Sequence, residues 1–238
     1  MPAERVQKIL SQAGLGSRRS CEKFIEAGRV TVNGKTISLG DKADPERDEI
    51  KIDGQAISAP EKFVYYALYK PRGILSSTKS ENNRKTVVEF IPGEENIYPV
   101  GRLDIDSEGL ILLTNDGELT NYLTHPRYEH EKEYRILLAS HPDKTQLETW
   151  KRGLVLADGY KTKPAQVRIE KRKGKGTWLR VIMTEGHKRQ IRETAQQLGL
   201  YVVKLIRIRI AALELGGLKS GQYRPLTPKE ISQLKPKR

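Results

Sequence analysis

The chain has 238 residues, of which 37% are hydrophobic and 31% charged, a composition typical of a globular protein with one or two domains. Its single cysteine, Cys21, cannot form an internal disulfide, and its longest apolar run is too short to span a bilayer. These features exclude secreted and membrane-spanning classes, and we expect a cytoplasmic protein. The net charge is +13, and residues 171–238 alone carry 17 basic and four acidic side chains. Such a basic excess favours a partner with a phosphate backbone, meaning nucleic acid.

The first 60 residues predict a small unit of two helices followed by hairpins. Apolar residues recur with helical spacing before Gly14, and Ser17 can cap a second helix that ends at Gly28. The pairs Asn33-Gly34 and Asp53-Gly54 are typical of two-residue turns between antiparallel strands.

A segment with a proline, Ser58–Lys62, is the predicted linker, so we expect domains at residues 1–60 and 61–238. Beyond it, apolar patterning predicts strands at 63–69, 109–114, 133–139, 178–183 and within 202–215. Helices are predicted at 119–123, 143–152, 187–198 and after the capping box at 227–230, and a flexible basic hairpin tip at 170–176. Because strands and helices do not alternate strictly, we predict an α+β fold with a mixed, mainly antiparallel sheet.

Known metal and nucleotide motifs are missing from the sequence. It contains no phosphate-binding loop and no complete dinucleotide fingerprint, and its four histidines stand apart from one another. One cysteine does not suffice for a thiolate zinc site. We therefore expect neither a cofactor nor a metal ion.

The segment from Gly101 to Gly117 holds the most informative cluster of charged and glycine residues. If its start is extended, Arg102 and Asp104 project to the same face. Spacing alone leaves two interpretations open: a surface ion pair in a turn, or a carboxylate kept ionised by a neighbouring guanidinium. The nearby Asp106 is expected to be a loop or cap residue.

This segment resembles the second motif of the pseudouridine synthases, in which Gly-Arg-Leu-Asp holds the catalytic aspartate. Four more segments resemble other motifs of the family and follow in the expected order: residues 66–73, 132–135, 186–192 and 204–207. Residues 4–50 look like the S4 RNA-binding module of the RsuA/RluB-type branch, which modifies ribosomal RNA. Two positions depart from the family pattern: Tyr69 where Asn is common, and Ser107 where Thr is usual.

The resemblance implies an enzyme that isomerises uridine in RNA to pseudouridine, without a cofactor. Asp104 would be the essential carboxylate, either a nucleophile at C1′ of the ribose or a base at C2′. Arg192 would pair with Asp104, and Tyr134 would stack on the uracil or serve its proton transfer. Leu205 would form an apolar wall of the pocket.

Other residues are expected to contact RNA. Arg102 would fill the space left by the flipped nucleotide or contact its phosphates, and Lys70 would be structural or face a phosphate. In the S4-like module, one basic surface would comprise Arg18, Arg19, Lys23 and Arg29. The expected partner is ribosomal RNA or an assembly intermediate, with large-subunit (23S) RNA favoured over small-subunit RNA, and the expected state is a monomer.

Two other functions would also account for the basic character of the chain. One is a non-catalytic S4-type RNA-binding or ribosome-assembly protein, and the other is a DNA-binding regulator whose recognition helix would lie near residues 17–28. Neither explains why Asp104, Tyr134 and Arg192 occur together with the motifs around them.

Overall fold

The computed structural model describes residues 3–57, 62–94 and 96–236. They form two compact units, one comprising the chain up to Phe63 with residues 115–117, the other comprising the rest. Most of the predicted linker, residues 58–61, lies outside the described residues. In the part of the chain that is described, no helix is both long and apolar enough to cross a bilayer.

The first unit contains two helices and six short strands: β1 (Glu4–Arg5), α1 (Val6–Gln12), α2 (Arg18–Glu26), β2 (Val30–Val32), β3 (Lys35–Thr36), β4 (Lys42–Ala43), β5 (Ile50–Ile52) and β6 (Gln55–Ala56). The side chain of Ser17 caps α2 by accepting a 3.1 Å hydrogen bond from the backbone of Ser20, as predicted. Asn33 and Asp53 both adopt the left-handed backbone that two-residue hairpin turns require. The predicted helices and hairpins of this unit are confirmed.

The second unit is built on one large sheet. Its elements are β7 (Tyr65–Lys70), β8 (Tyr98–Pro99), β9 (Glu108–Thr114), α3 (Gly117–Thr124), β10 (Lys132–Leu138), α4 (Lys144–Arg152), β11 (Gln166–Lys173), β12 (Gly176–Met183), α5 (Gln190–Gln197), β13 (Val202–Ile210), β14 (Leu213–Glu214), β15 (Tyr223–Pro225) and α6 (Pro228–Leu234). The strand order is β11-β12-β10-β13-β9-β7-β15, with β8 paired to β9 and β14 to β13. Only the β9–β13 pair is parallel among these described strands, which confirms the predicted mixed and mainly antiparallel sheet.

Strand β9 lies inside the sheet, between β13 and β7, and is buried on both faces. Leu110 and Leu112 pack into one apolar cluster, while Ile111 and Leu113 pack into another. This explains why its sequence is a continuous apolar run instead of an alternating one. The loop that precedes β9 is therefore anchored at one end by a rigid, fully buried strand.

The parallel contact between β9 and β13 requires a glycine at its second paired position. Gly109 pairs with Arg207 and has a φ of +105°. A Cβ atom at Gly109 would lie 2.2 Å from the carbonyl oxygen of Arg207, so no larger residue fits. This close approach brings the loop before β9 beside β13.

Two predicted elements differ from the structure. Helix α5 begins at Gln190 instead of His187, because Arg189 has a left-handed backbone with a φ of +53° and the Gln190 side chain accepts from the backbone of His187. Strand β11 was not predicted, and it takes up residues 170–173 of the predicted flexible tip, so that only residues 174 and 175 form the turn between β11 and β12. Only Val167 of β11 is buried, which left little apolar pattern to identify it.

Candidate active site

Asp104 lies in the loop between β8 and β9, which turns at Ile105 and Asp106. Its side chain is partly buried, and its carbonyl oxygen accepts a 3.0 Å hydrogen bond from the backbone of Ser107. Before it, Leu103 is buried in the apolar cluster that also contains Tyr134 and Leu205. The carboxylate is thus held between a packed leucine and a closed turn.

A serine that the sequence did not single out fixes the residue before Asp104. The Ser76 hydroxyl accepts from the backbone nitrogen of Leu103 at 3.1 Å and donates to its carbonyl oxygen at 2.8 Å. The backbone of Gly73 also donates to the carbonyl of Ile105 at 2.7 Å. The segment after β7 therefore holds the Asp104 loop by its backbone on both sides of the carboxylate.

Arg192, on α5, pairs with Asp106 and not with Asp104 as predicted. Its Nε lies 3.2 Å from Asp106 Oδ2, and its Nη2 donates to the Asp106 carbonyl oxygen at 3.0 Å. Arg189 reaches both oxygens of the same carboxylate, at 3.2 and 3.3 Å. The resemblance implied a pair with Asp104, whereas the turn at residues 105 and 106 brings the carboxylate and the carbonyl of Asp106 to Arg192.

Electrostatics around this ion cluster keep Asp106 charged. Burial acts to raise the pKa of Asp106, but the hydrogen bond from Arg189 and the charges of Arg192 and Arg189 hold it below its usual value. Asp104 is close enough that its charge also raises the pKa of Arg189. Asp106, which was expected to be only a loop residue, therefore fixes the two arginines beside Asp104.

A cavity of about 250 Å³ opens beside Asp104, and four of the predicted site residues line it. Its walls include Arg102, Asp104, Tyr134 and Leu205, with Met183 and Ile191 adding apolar surface. Tyr134 and Leu205 are buried, whereas Arg102 is exposed. The cavity therefore combines a carboxylate, an aromatic ring and an apolar wall, which are the groups needed to hold a base and act on its sugar.

Lys70 does not face a phosphate, because its side chain is fully buried. Its Nζ donates to the carbonyl oxygens of Pro71 and Ser107, at 2.9 and 2.8 Å. Burial lowers the pKa of Lys70 to about 8, although Asp106, Glu108 and Asp104 oppose the shift. The predicted substrate contact is therefore wrong, and Lys70 instead ties the end of β7 to the Asp104 loop.

The basic residues predicted to bind RNA in the first unit are exposed, but one of them is already paired. Arg18, Arg19 and Lys23 lie on α2 with exposed side chains. Arg29 makes a two-pronged contact with Asp53 and lies over the Phe24 ring at 4.7 Å. Arg29 is therefore held in place more firmly than the other three.

A base-sized cavity with a carboxylate, set in a strongly basic chain, is typical of an enzyme that acts on nucleic acid. Residues 64–197 match the family model described as RNA pseudouridylate synthase, and residues 4–50 match the S4 domain. Ribosomal large subunit pseudouridine synthase B of Bacillus subtilis is 41% identical over 236 residues, covering 98% of this chain and 96% of the relative. Dual-specificity RNA pseudouridine synthase RluF of Escherichia coli is 37% identical over 235 residues, covering 97% of this chain and 78% of the relative.

Structural comparison agrees with these matches. The crystal structure of a pseudouridylate synthase superposes with a TM-score of 0.70 at 29% identity, covering 97% of this chain and 99% of the other. The chain therefore belongs to the RNA pseudouridylate synthase family and carries an S4 domain at its N-terminal end. The predicted family, RNA-binding module and enzyme class are confirmed.

Proposed function

We propose that this enzyme converts a specific uridine of large-subunit ribosomal RNA into pseudouridine, with Asp104 as the carboxylate that acts at the ribose. The observation that carries the proposal is the position of Asp104, at the wall of a base-sized cavity that Tyr134 and Leu205 also line. The names of the Bacillus subtilis and Escherichia coli relatives support the reaction, and the first of them supports the RNA.

Pseudouridine formation is an isomerisation, so it needs no co-reactant. The bond between N1 of uracil and C1′ of the ribose breaks, the base turns, and C5 bonds to C1′. C5 then loses its proton and N1 gains one. Positive charge develops at C1′ as the first bond breaks, and an ionised carboxylate stabilises it, as in glycoside hydrolysis. Asp104 supplies that charge, either by bonding to C1′ or by removing the proton at C2′.

The remaining groups would hold the base and the carboxylate in place. Tyr134, buried beside Leu205, presents its ring to a base that has left the RNA stack and can serve the proton transfer at C5. Arg192 lies next to the turn that carries Asp104 and fixes that turn by its contacts with the carboxylate and the carbonyl of Asp106. Arg102, exposed at the cavity wall, can contact a phosphate of the flipped nucleotide.

We expect the active species to be a monomer. The exposed arginine and lysine side chains of α2 in the S4 domain would add contacts to RNA phosphates. The affinity for RNA would therefore fall steeply as the salt concentration rises. The S4 domain supports ribosomal RNA, free or in an assembly intermediate, as the partner. A cytoplasmic location stays a prediction.

The proposal is tested by mapping pseudouridine in ribosomal RNA of cells that lack the gene, using reverse-transcription stops after carbodiimide treatment. The wild-type protein or Asp104→Asn is then supplied from a plasmid. We expect one site in large-subunit RNA to vanish, and only the wild-type protein to restore it. A site in small-subunit RNA would refute the assigned substrate, and restoration by Asp104→Asn would refute the assigned carboxylate.

A further inference from the structure

A second cavity, of about 380 Å³, lies next to the cavity that holds Asp104. Its walls include Thr124, His130, Lys132, Tyr134, Tyr160 and Arg207; we call it the neighbour pocket. It shares Arg102, Tyr134 and His187 with the Asp104 cavity, but Asp104 itself is not part of its lining. Its volume is within the range of about 300–1,000 Å³ that is usual for small-ligand sites.

The charges around the neighbour pocket favour an anion. Four cationic side chains line it, those of Arg102, Lys132, Lys163 and Arg207, against a single carboxylate, that of Glu185. That carboxylate is already engaged, because it accepts hydrogen bonds from the Tyr160 hydroxyl at 2.7 Å and from the Lys163 backbone at 2.8 Å. Lys163 is also paired with Glu129, so the positive charge left for a ligand to neutralise is that of Arg102, Lys132 and Arg207.

Arg207 is the most unusual of these cations, because it is almost fully buried. Its Nε donates to the carbonyl oxygen of Leu110 at 2.8 Å and its Nη1 to that of Arg102 at 3.3 Å, whereas its Nη2 has no hydrogen-bond partner. Burying a guanidinium without a matching carboxylate is costly. An anionic group bound in the adjoining pocket would offset that cost.

Flat rings supply the second feature of the neighbour pocket. Tyr160 and His187 stack face to face, with centroids 4.1 Å apart and planes 4° from parallel. His187 Nε2 lies 2.6 Å from Asp158 Oδ2, which fixes this pair. On another wall, the buried Nε2 of His130 has no hydrogen-bond partner. Stacking surfaces beside cations are typical of sites that bind unpaired nucleotides.

We propose that the neighbour pocket binds the base of a nucleotide adjacent to the target uridine, together with its phosphate. This inference rests on the proposed function, because it takes the Asp104 cavity as the site of the uridine. The two cavities adjoin, because Gly101, Arg102, Tyr134, Gly186 and His187 line both of them, so one RNA strand can occupy both. The enzyme would then read the target by two extruded nucleotides instead of one, which adds specificity for sequence.

The test uses the full chain and the rRNA hairpin that contains the mapped pseudouridine. Three RNAs are compared: the intact hairpin, and two in which the nucleotide on the 5′ or the 3′ side of the target lacks its base. Three proteins are compared: wild type, Thr124→Trp, which fills the neighbour pocket, and Asn121→Trp on the same helix, whose position is exposed and outside the pocket. Fluorescence anisotropy gives each Kd, and thermal unfolding verifies that the variants are folded.

We expect wild type to bind one of the two abasic RNAs roughly tenfold more weakly than the intact RNA. Thr124→Trp should bind the intact RNA more weakly than wild type does, by a similar factor. It should bind the abasic RNA that wild type binds weakly with the same Kd as wild type. Asn121→Trp should have the Kd of wild type for all three RNAs. The inference is overturned if wild type binds all three RNAs equally, whatever the variants do. It is also overturned if Thr124→Trp weakens all three RNAs alike. Pseudouridine formed in the intact hairpin by wild type is measured separately and reports on the proposed function alone.

Discussion

Lys70 gives the most quantitative prediction, because its amine is fully buried against two backbone carbonyls. Replacing it in Lys70→Met removes both hydrogen bonds and leaves the carbonyl oxygens of Pro71 and Ser107 without this donor. Each loss costs about 1–3 kcal/mol. The same change removes a charge whose burial is itself unfavourable, so the two effects oppose each other at neutral pH.

The cost of burying the charged amine of Lys70 depends on pH, and its magnitude follows from the two pKa values. The pKa of Lys70 is about 8 in the folded protein and 10.5 in the unfolded chain. Between these values the unfolded chain holds a proton that the folded protein has lost, so stability rises with pH, by ~3 kcal/mol in total. The neutral amine keeps two N–H donors and therefore both hydrogen bonds. Lys70→Met should thus range from about 1 kcal/mol more stable to about 3 kcal/mol less stable than wild type at pH 7, and should lose ~3 kcal/mol more relative to wild type near pH 10.5.

Urea unfolding followed by tryptophan fluorescence measures this difference, since Trp150 and Trp178 both lie in the same unit as Lys70. The free energies of unfolding of wild type and Lys70→Met are compared from pH 7 to pH 10.5, with the exposed Lys161→Met as the control. We expect the gap between wild type and Lys70→Met to widen with pH, and the control to follow wild type. A gap that stays constant over this range would refute the assignment of Lys70 as a buried amine that loses its proton in the folded protein.

Two further substitutions test how the Asp104 loop is held. Asp106→Asn removes the charge shared by Arg189 and Arg192, so we expect a loss of about 1–3 kcal/mol in the free energy of unfolding by urea at neutral pH. Because the pKa of Asp106 is lowered in the folded protein, this loss should shrink as the pH falls below about 4 and disappear only once the pH is below the folded-state pKa. Equal stability of the variant and wild type at pH 7 would contradict this. Gly109→Ala places a methyl group against a backbone carbonyl of the neighbouring strand, so it should lower the free energy of unfolding by at least about 3 kcal/mol. In Gly93→Ala the added methyl group has no atom within 4 Å, so the loss should be about 1 kcal/mol. Similar melting temperatures for the two alanine variants would be against a required close approach.

Local chemistry made much of the fold predictable from the sequence. The capping box at Thr227 forms as expected, because both of its hydrogen bonds lie within four residues of each other. The turn at Asn33-Gly34 and the apolar run of β9 are equally local signals. Strand β11 lacked such a signal, since its side chains are charged and almost all exposed.

The site was predictable as a set of residues but not as a set of contacts. Asp104, Tyr134 and Leu205 line one cavity, as the motifs implied. The partner of Arg192 could not be read from spacing, because it depends on a turn whose geometry is fixed by distant residues such as Ser76. A single charged or hydroxyl residue in a loop has no sequence pattern that shows whether its side chain is exposed or is buried and hydrogen-bonded to another segment.

We propose that Asp104 acts on the ribose, whereas the neighbouring Asp106 only positions the loop. Loss of tritium from C5 of uridine in the rRNA hairpin, under single-turnover conditions with purified protein, measures the reaction directly because C5 must release its hydrogen. We expect Asp104→Asn to lower the rate constant by about a thousandfold or more, with RNA affinity within a few-fold of wild type. Asp106→Asn should keep a measurable rate. A rate for Asp104→Asn within tenfold of wild type, or a greater loss in Asp106→Asn, would contradict the account.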